Sequence, residues 1–171
     1  MIGAGNWEGF GASIGSNTHL KNMIISLHPR RVGLQFYRAV AMNRSIEILS
    51  LGGCCREDKG MLLSLIPFFQ NNRALKCLRT EYRQWGNAGL RTLVFVLGQF
   101  DSLKEFTLAC YLDDWRNSRG KKNEVFEALA GHVGLTKITL IGIALGREGC
   151  AALAALLQNP RSNLIGITLC K

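Results

Sequence analysis

The stretch from Leu135 to Asn163 decides how the chain is read. Leu135 to Leu140 run Leu-Thr-Lys-Ile-Thr-Leu, with apolar side chains at Leu135, Ile138 and Leu140. Leu145-Gly146 and Gly149 follow, and then Leu153, Leu156 and Leu157 recur at the three- and four-residue spacing of one helix face. At Leu164 the opening pattern returns as Leu164, Ile167 and Leu169. A strand-like segment and a helix-like segment therefore make one unit, and the unit starts again.

Moving this pattern back along the chain finds it almost everywhere. The openings are Leu20/Met23/Ile25, Ile46/Leu49/Leu51, Leu75/Leu78/Thr80, Leu103/Phe106/Leu108, Leu135/Ile138/Leu140 and Leu164/Ile167/Leu169. Starts at 20, 46, 75, 103, 135 and 164 are separated by 26, 29, 28, 32 and 29 residues. Leu-x-x-Leu-x-Leu, a turn, Leu-Gly-x-x-Gly and an amphipathic helix resemble a leucine-rich repeat of the ribonuclease-inhibitor-like (RNI-like) class. Such units run to roughly 20–29 residues with one strand and one helix. One departure stands out. The turn position eight residues after each start is often Asn or Cys in that family, and here it is His28, Cys54, Arg83, Tyr111 and Ile143.

The resemblance implies an α/β fold: a solenoid with a parallel sheet on the concave side and helices on the convex side. It implies one repeat domain over residues 1–171, with 1–19 as the back half of an earlier repeat. The last repeat is a strand only, so its open edge and apolar face are expected to be uncovered, as in a piece of a longer array.

Strand side chains alternate between faces. With the start, +3 and +5 positions inward, the +2, +4 and +6 positions line the free face. The +2 column is Asn22, Ile48, Cys77, Glu105, Lys137 and Gly166; the +4 column is Ile24, Ser50, Arg79, Thr107, Thr139 and Thr168; the +6 column is Ser26, Gly52, Glu81, Ala109, Ile141 and Cys170. Six strands make a face about 25 Å wide, enough to seat a helix or a small domain. The candidate protein-binding residues are Arg79, Glu81, Glu105, Thr107, Lys137 and Thr139 on that face. Tyr82, Arg83, Tyr111 and Arg116 join them at the rim, where turns of successive repeats adjoin and where the Tyr and Arg that anchor interfaces occur.

Taken in order, the chain raises further expectations. Trp7, Phe10 and Ile14 form the inner face of a short helix weakened by its glycines, which Asn17 closes. Pro67 falls inside the run Met61, Leu62, Leu65, Ile66 and Phe69, so that helix should kink or begin nearer Leu65. Val94-Phe95-Val96 has local strand preference, but the repeat register assigns it to a helix. Trp85 falls where repeat five has Leu145 and reads as an enlarged core residue. Tyr111 to Asn123 holds the excess length of repeat four and reads as a loop.

Composition bounds the function. No apolar run approaches the roughly 18 residues of a membrane span, and no signal peptide is visible after Met1. The six cysteines contain no Cys-x-x-Cys pair and read as reduced, small, buried or half-buried residues in an intracellular protein, cytoplasmic or nuclear. The net charge of +9 comes from scattered residues, with local runs at Arg73, Lys76, Arg79, Arg83 and Arg91 and at Arg116, Arg119, Lys121 and Lys122. The three histidines make no catalytic spacing, and Asp113-Asp114 has no His partner for a metal. The expectation is a non-catalytic protein–protein interaction module for an unknown protein partner, with no cofactor and no small-molecule substrate. The alternative is a basic surface that binds nucleic acid or an anionic membrane.

Overall fold

The computed structural model describes residues 6–26, 32–52, 59–81, 93–98, 102–110 and 121–170. Helices and strands alternate: α1 (Asn6–Ser16), β1 (Asn22–Ile25), α2 (Leu34–Val40), β2 (Ile48–Leu51), α3 (Lys59–Asn71), β3 (Cys77–Glu81), α4 (93–98), β4 (Glu105–Ala109), α5 (Lys121–Gly131), β5 (Lys137–Ile141), α6 (Gly146–Gln158) and β6 (Gly166–Cys170). The six strands form one sheet in sequence order, β1 to β6, and every pair is parallel. Each strand begins two residues after one of the six starts. An open parallel sheet of this kind fits a solenoid, because each unit pairs only with its neighbours.

The start, +3 and +5 side chains make one half of the core. Ile46, Leu49, Leu51, Leu75, Leu78, Leu103, Phe106, Leu108, Leu135, Ile138 and Leu140 are all buried. Helix residues make the other half: Phe36, Tyr37 and Val40; Leu65, Phe68 and Phe69; Leu93, Val96 and Leu97; Val125, Phe126 and Leu129; Leu153 and Leu156. Among the described residues, helices therefore cover one face of the sheet and leave the other bare. Thr80 holds its +5 place as a buried polar residue in the apolar column. At the β6 edge the pattern loosens, and Leu169, also a +5 residue, is 56% exposed.

Several helix faces differ from the sequence expectation. Phe10 is 48% exposed and lies against the ring of Phe36 from the outside, while Ile14 and Gly11 face inward. Leu157, expected on the inner face of its helix, is 60% exposed. Pro67 does not delay its helix, which runs from Lys59 to Asn71 around it. The carbonyl that loses its partner there belongs to Leu63, and both residues face solvent, where water can take the bond. Val94-Phe95-Val96 is helical, so burial of Val96 and Leu97 prevails over local strand preference. The loop assigned to Tyr111–Asn123 is too long at its far end, because Lys121, Lys122 and Asn123 open α5. Pro29, Trp85, Leu90 and Trp115 lie outside the described residues.

The glycines of α1 act differently from the expectation that they merely weaken it. A Cβ on Gly11 would stand 2.9 Å from the Phe36 carbonyl oxygen, and one on Gly15 would overlap the Ala39 carbonyl. The missing side chains let α1 press directly on the backbone of α2. Gly9 has open space around it. Gly15→Ala should destabilise by roughly 1–3 kcal/mol through overpacking that exceeds its gain in helix propensity. Gly9→Ala should stabilise by up to about 1 kcal/mol. Thermal or urea unfolding of the two variants checks the opposite signs.

Asparagine closes three helix-to-strand turns, always three residues before a start: Asn17, Asn43 and Asn72. Asn43 is fully buried; its Nδ2 donates to the carbonyls of Ile14 and Asn17, both at 2.7 Å, and its Oδ1 accepts from the backbone N–H groups of Ser45 and Ile46. Asn72 repeats the arrangement, donating to the Ile46 carbonyl and accepting from the Ala74 N–H. Removing such a residue leaves buried donors and acceptors unpaired. Asn43→Ala should cost roughly 2–4 kcal/mol in denaturant unfolding, with the slope unchanged.

Candidate protein-binding face and its rim

The bare face is assembled by strict register. Glu105 stands between Cys77 and Lys137, Arg79 between Ser50 and Thr107, Thr139 between Thr107 and Thr168, and Glu81 beside Ala109. Six of the ten expected residues, Arg79, Glu81, Glu105, Thr107, Lys137 and Thr139, are thus brought onto one surface. Tyr82, Arg83, Tyr111 and Arg116 lie outside the described residues. Arg79 and Lys137 are exposed, and Glu81, Glu105, Thr107 and Thr139 are partly exposed. The Glu81 carboxylate reaches across Gly52, and the Lys137 stem lies along Gly166. Both glycines leave room for a longer neighbour to lie alongside.

Cys77 occupies a free-face column yet is only 4% exposed. Burial pushes its thiol up from the usual range, Arg79 opposes that shift, and Glu105 reinforces it. Cys110 is buried too, whereas Cys150 and Cys170 are exposed. The expectation of uniformly buried or half-buried thiols is therefore corrected for those two. His132 is a buried residue at the end of α5. Among the described residues no group of His, Cys, Asp or Glu could hold a metal ion, and no helix is long and apolar enough to cross a membrane.

A second row, one residue after each start, was not singled out in the sequence. It reads Lys21, Glu47, Lys76, Lys104, Thr136 and Ile165. The first five backbone carbonyls in this row each accept two N–H groups from the next unit. Lys21 accepts from Glu47 and Ile48, Glu47 from Lys76 and Cys77, Lys76 from Lys104 and Glu105, Lys104 from Thr136 and Lys137, and Thr136 from Ile165 and Gly166, at 2.7–3.1 Å. This row forms the rim where strands begin. The Glu47 carboxylate sits between two lysines, 2.7 Å from Lys76 Nζ and 3.4 Å from Lys21 Nζ. Lys104 donates instead to the Gly134 carbonyl at 3.3 Å. Arg44 and Arg73, both exposed, sit in the preceding turns of the same rim. The signal for this row is present at the spacing of the starts, but it mixes Lys, Glu, Thr and Ile and breaks no hydrophobic pattern.

The architecture is thus an α/β array whose open parallel sheet has one covered and one free face. No family model matches the chain, and no curated protein matches it either.

The lysine pair holds the Glu47 carboxyl below the ordinary glutamate value, with the hydrogen bond from Lys76 the largest cause and that from Lys21 next. A carboxylate with a depressed folded-state value adds stability above its unfolded value, and that stability is lost as pH falls through the folded one. Carboxyl-carbon NMR should show Glu47 titrating below an ordinary glutamate, and Lys76→Ala should move its midpoint up. Acidification should cost the wild type more stability than Glu47→Gln.

Proposed function

We propose that the chain is a leucine-rich repeat solenoid of the ribonuclease-inhibitor-like class and a non-catalytic protein-binding module. The observation that carries the reading is the bare, register-locked face on a sheet whose other face is filled by helices. Protein–protein interfaces combine a fixed backbone with a mixed polar and apolar surface. Here Arg79, Lys137, Glu81 and Glu105 supply charge, Thr107, Thr139 and Thr168 supply hydroxyls, and Ile24, Ile48 and Ile141 supply apolar area. The free thiols of Cys77, Cys150 and Cys170 fit a reducing, intracellular compartment.

Immobilised chain should recover a protein partner at moderate salt, and the partner's affinity should fall about tenfold or more with Thr107→Arg/Thr139→Arg, a loss equivalent to ~1.4 kcal/mol. Glu127→Arg, an exposed change on α5, should leave it intact, and circular dichroism should match for all three proteins. Capture that ignores the face variant, or recovery of nucleic acid alone, would refute the assignment.

A further inference from the structure

The rim at the strand starts carries five exposed cations, Lys21, Arg44, Arg73, Lys76 and Lys104, against one carboxylate, Glu47, among the described residues. Two of them are forced together. Lys76 and Lys104 precede the paired residues Cys77 and Glu105, and the Lys104 N–H donates to the Lys76 carbonyl at 2.7 Å. Their backbones are thus one strand spacing apart, about 4.8 Å. Like charges on neighbouring strands disfavour each other. Helix C-termini favour nearby cations, which accounts for Arg73 just beyond Asn71. That effect does not account for the lysines, which lie on the strand side of the turn.

From this row we infer that the rim holds an acidic segment of the partner protein, with a carboxylate bridging Lys76 and Lys104. The inference rests on the protein-binding reading above. Glu47 shows from within the chain that a carboxylate can bridge two rim lysines, since from β2 it meets Lys21 on the β1 side and Lys76 on the β3 side. An incoming carboxylate would meet the adjacent Lys76 and Lys104 from solvent and share Lys76 with Glu47. The row from Lys21 to Lys104 spans three strand spacings, about 14 Å, which matches roughly four residues of extended peptide. A duplex nucleic acid repeats its groove only every ~34 Å, and the described rim offers no aromatic side chain for stacking a single strand.

Fluorescence anisotropy with labelled deca-glutamate, against deca-glutamine and a short DNA duplex, tests this in the whole chain. Deca-glutamate should bind at low salt and deca-glutamine should not. Lys76→Glu/Lys104→Glu should weaken binding about tenfold, the scale of two exposed charge pairs lost and reversed. Arg38→Glu/Arg147→Glu has the same charge change on exposed helix positions and should stay within about twofold. Glu47→Gln removes the internal competitor for Lys76 and should strengthen binding. Equal loss in the two double variants would show net charge alone and overturn the inference. So would failure of deca-glutamate to bind, or a duplex that binds more tightly and is lost with the rim variant. The Thr107→Arg/Thr139→Arg face variant should keep the peptide. If the rim fails while that face variant still loses its partner, the protein-binding reading survives without the acidic segment.

Discussion

Register is the constraint on which everything else rests. Five successive carbonyls, from Lys21 to Thr136, each take two N–H groups from the following unit. Each such fork ties two adjacent amides to one acceptor, so a strand cannot slide past its neighbour without losing both bonds. A slip of one residue would send Leu49, Leu78, Phe106 and Ile138 to solvent and bring Ser50, Arg79, Thr107 and Thr139 into the core. Buried Asn43 and Asn72 reinforce the lock from the other side of the turn by tying helix end, preceding unit and strand start into one bonded cluster. Side-chain columns on the free face and charges on the rim are consequences of that locked alignment.

Much of this was legible before any coordinates. The three-position apolar signature located all six strands, because an inward row on a half-buried sheet must be apolar and its period is short. Column membership followed from alternation alone. The helix faces were less legible. Phe10, Leu34, Leu63 and Leu157 are apolar and sit at plausible helical spacings, but each lies on the outer face. A helix with apolar residues on more than one side does not state which side turns inward; the close approach of Gly11 and Gly15 to α2 decides it for α1. The asparagines break no apolar pattern, and of the three only Asn17 stands out as a turn residue. Their steps of 26 and 29 from Asn17 to Asn43 to Asn72 equal the steps between the first three starts, and that equality was the readable sign of a repeated structural role.

Proline and glycine carry a related lesson. Both weaken an isolated helix, and both stand inside helices here. Pro67 is tolerated because the bond it forfeits faces water rather than the core. Gly15 and Gly149 are retained at helix contacts: a side chain at the first would overlap Ala39, and a Cβ at the second would come within 2.8 Å of the Phe126 ring. In an array whose helices pack mainly on sequence neighbours, contact between adjacent helices outweighs the propensity of either alone.

The free face and the rim divide the chemistry between them. On the face, Arg79 and Lys137 are set against Glu81 and Glu105, and the threonines of β4, β5 and β6 are neutral, so the surface is electrostatically near balance. Balance suits contact by shape, because burying it against a partner strands no excess of one charge sign. The rim is unbalanced, and its imbalance is graded along the row. Lys21 and Lys76 share Glu47, Lys104 meets a backbone carbonyl among the described residues, and the row then turns neutral at Thr136 and apolar at Ile165. A partner that met the face would therefore find its attraction concentrated over the first four strands. Long-range steering toward that side, with short-range fit on the neutral columns, would give a repeat surface of uniform backbone a preferred direction of approach.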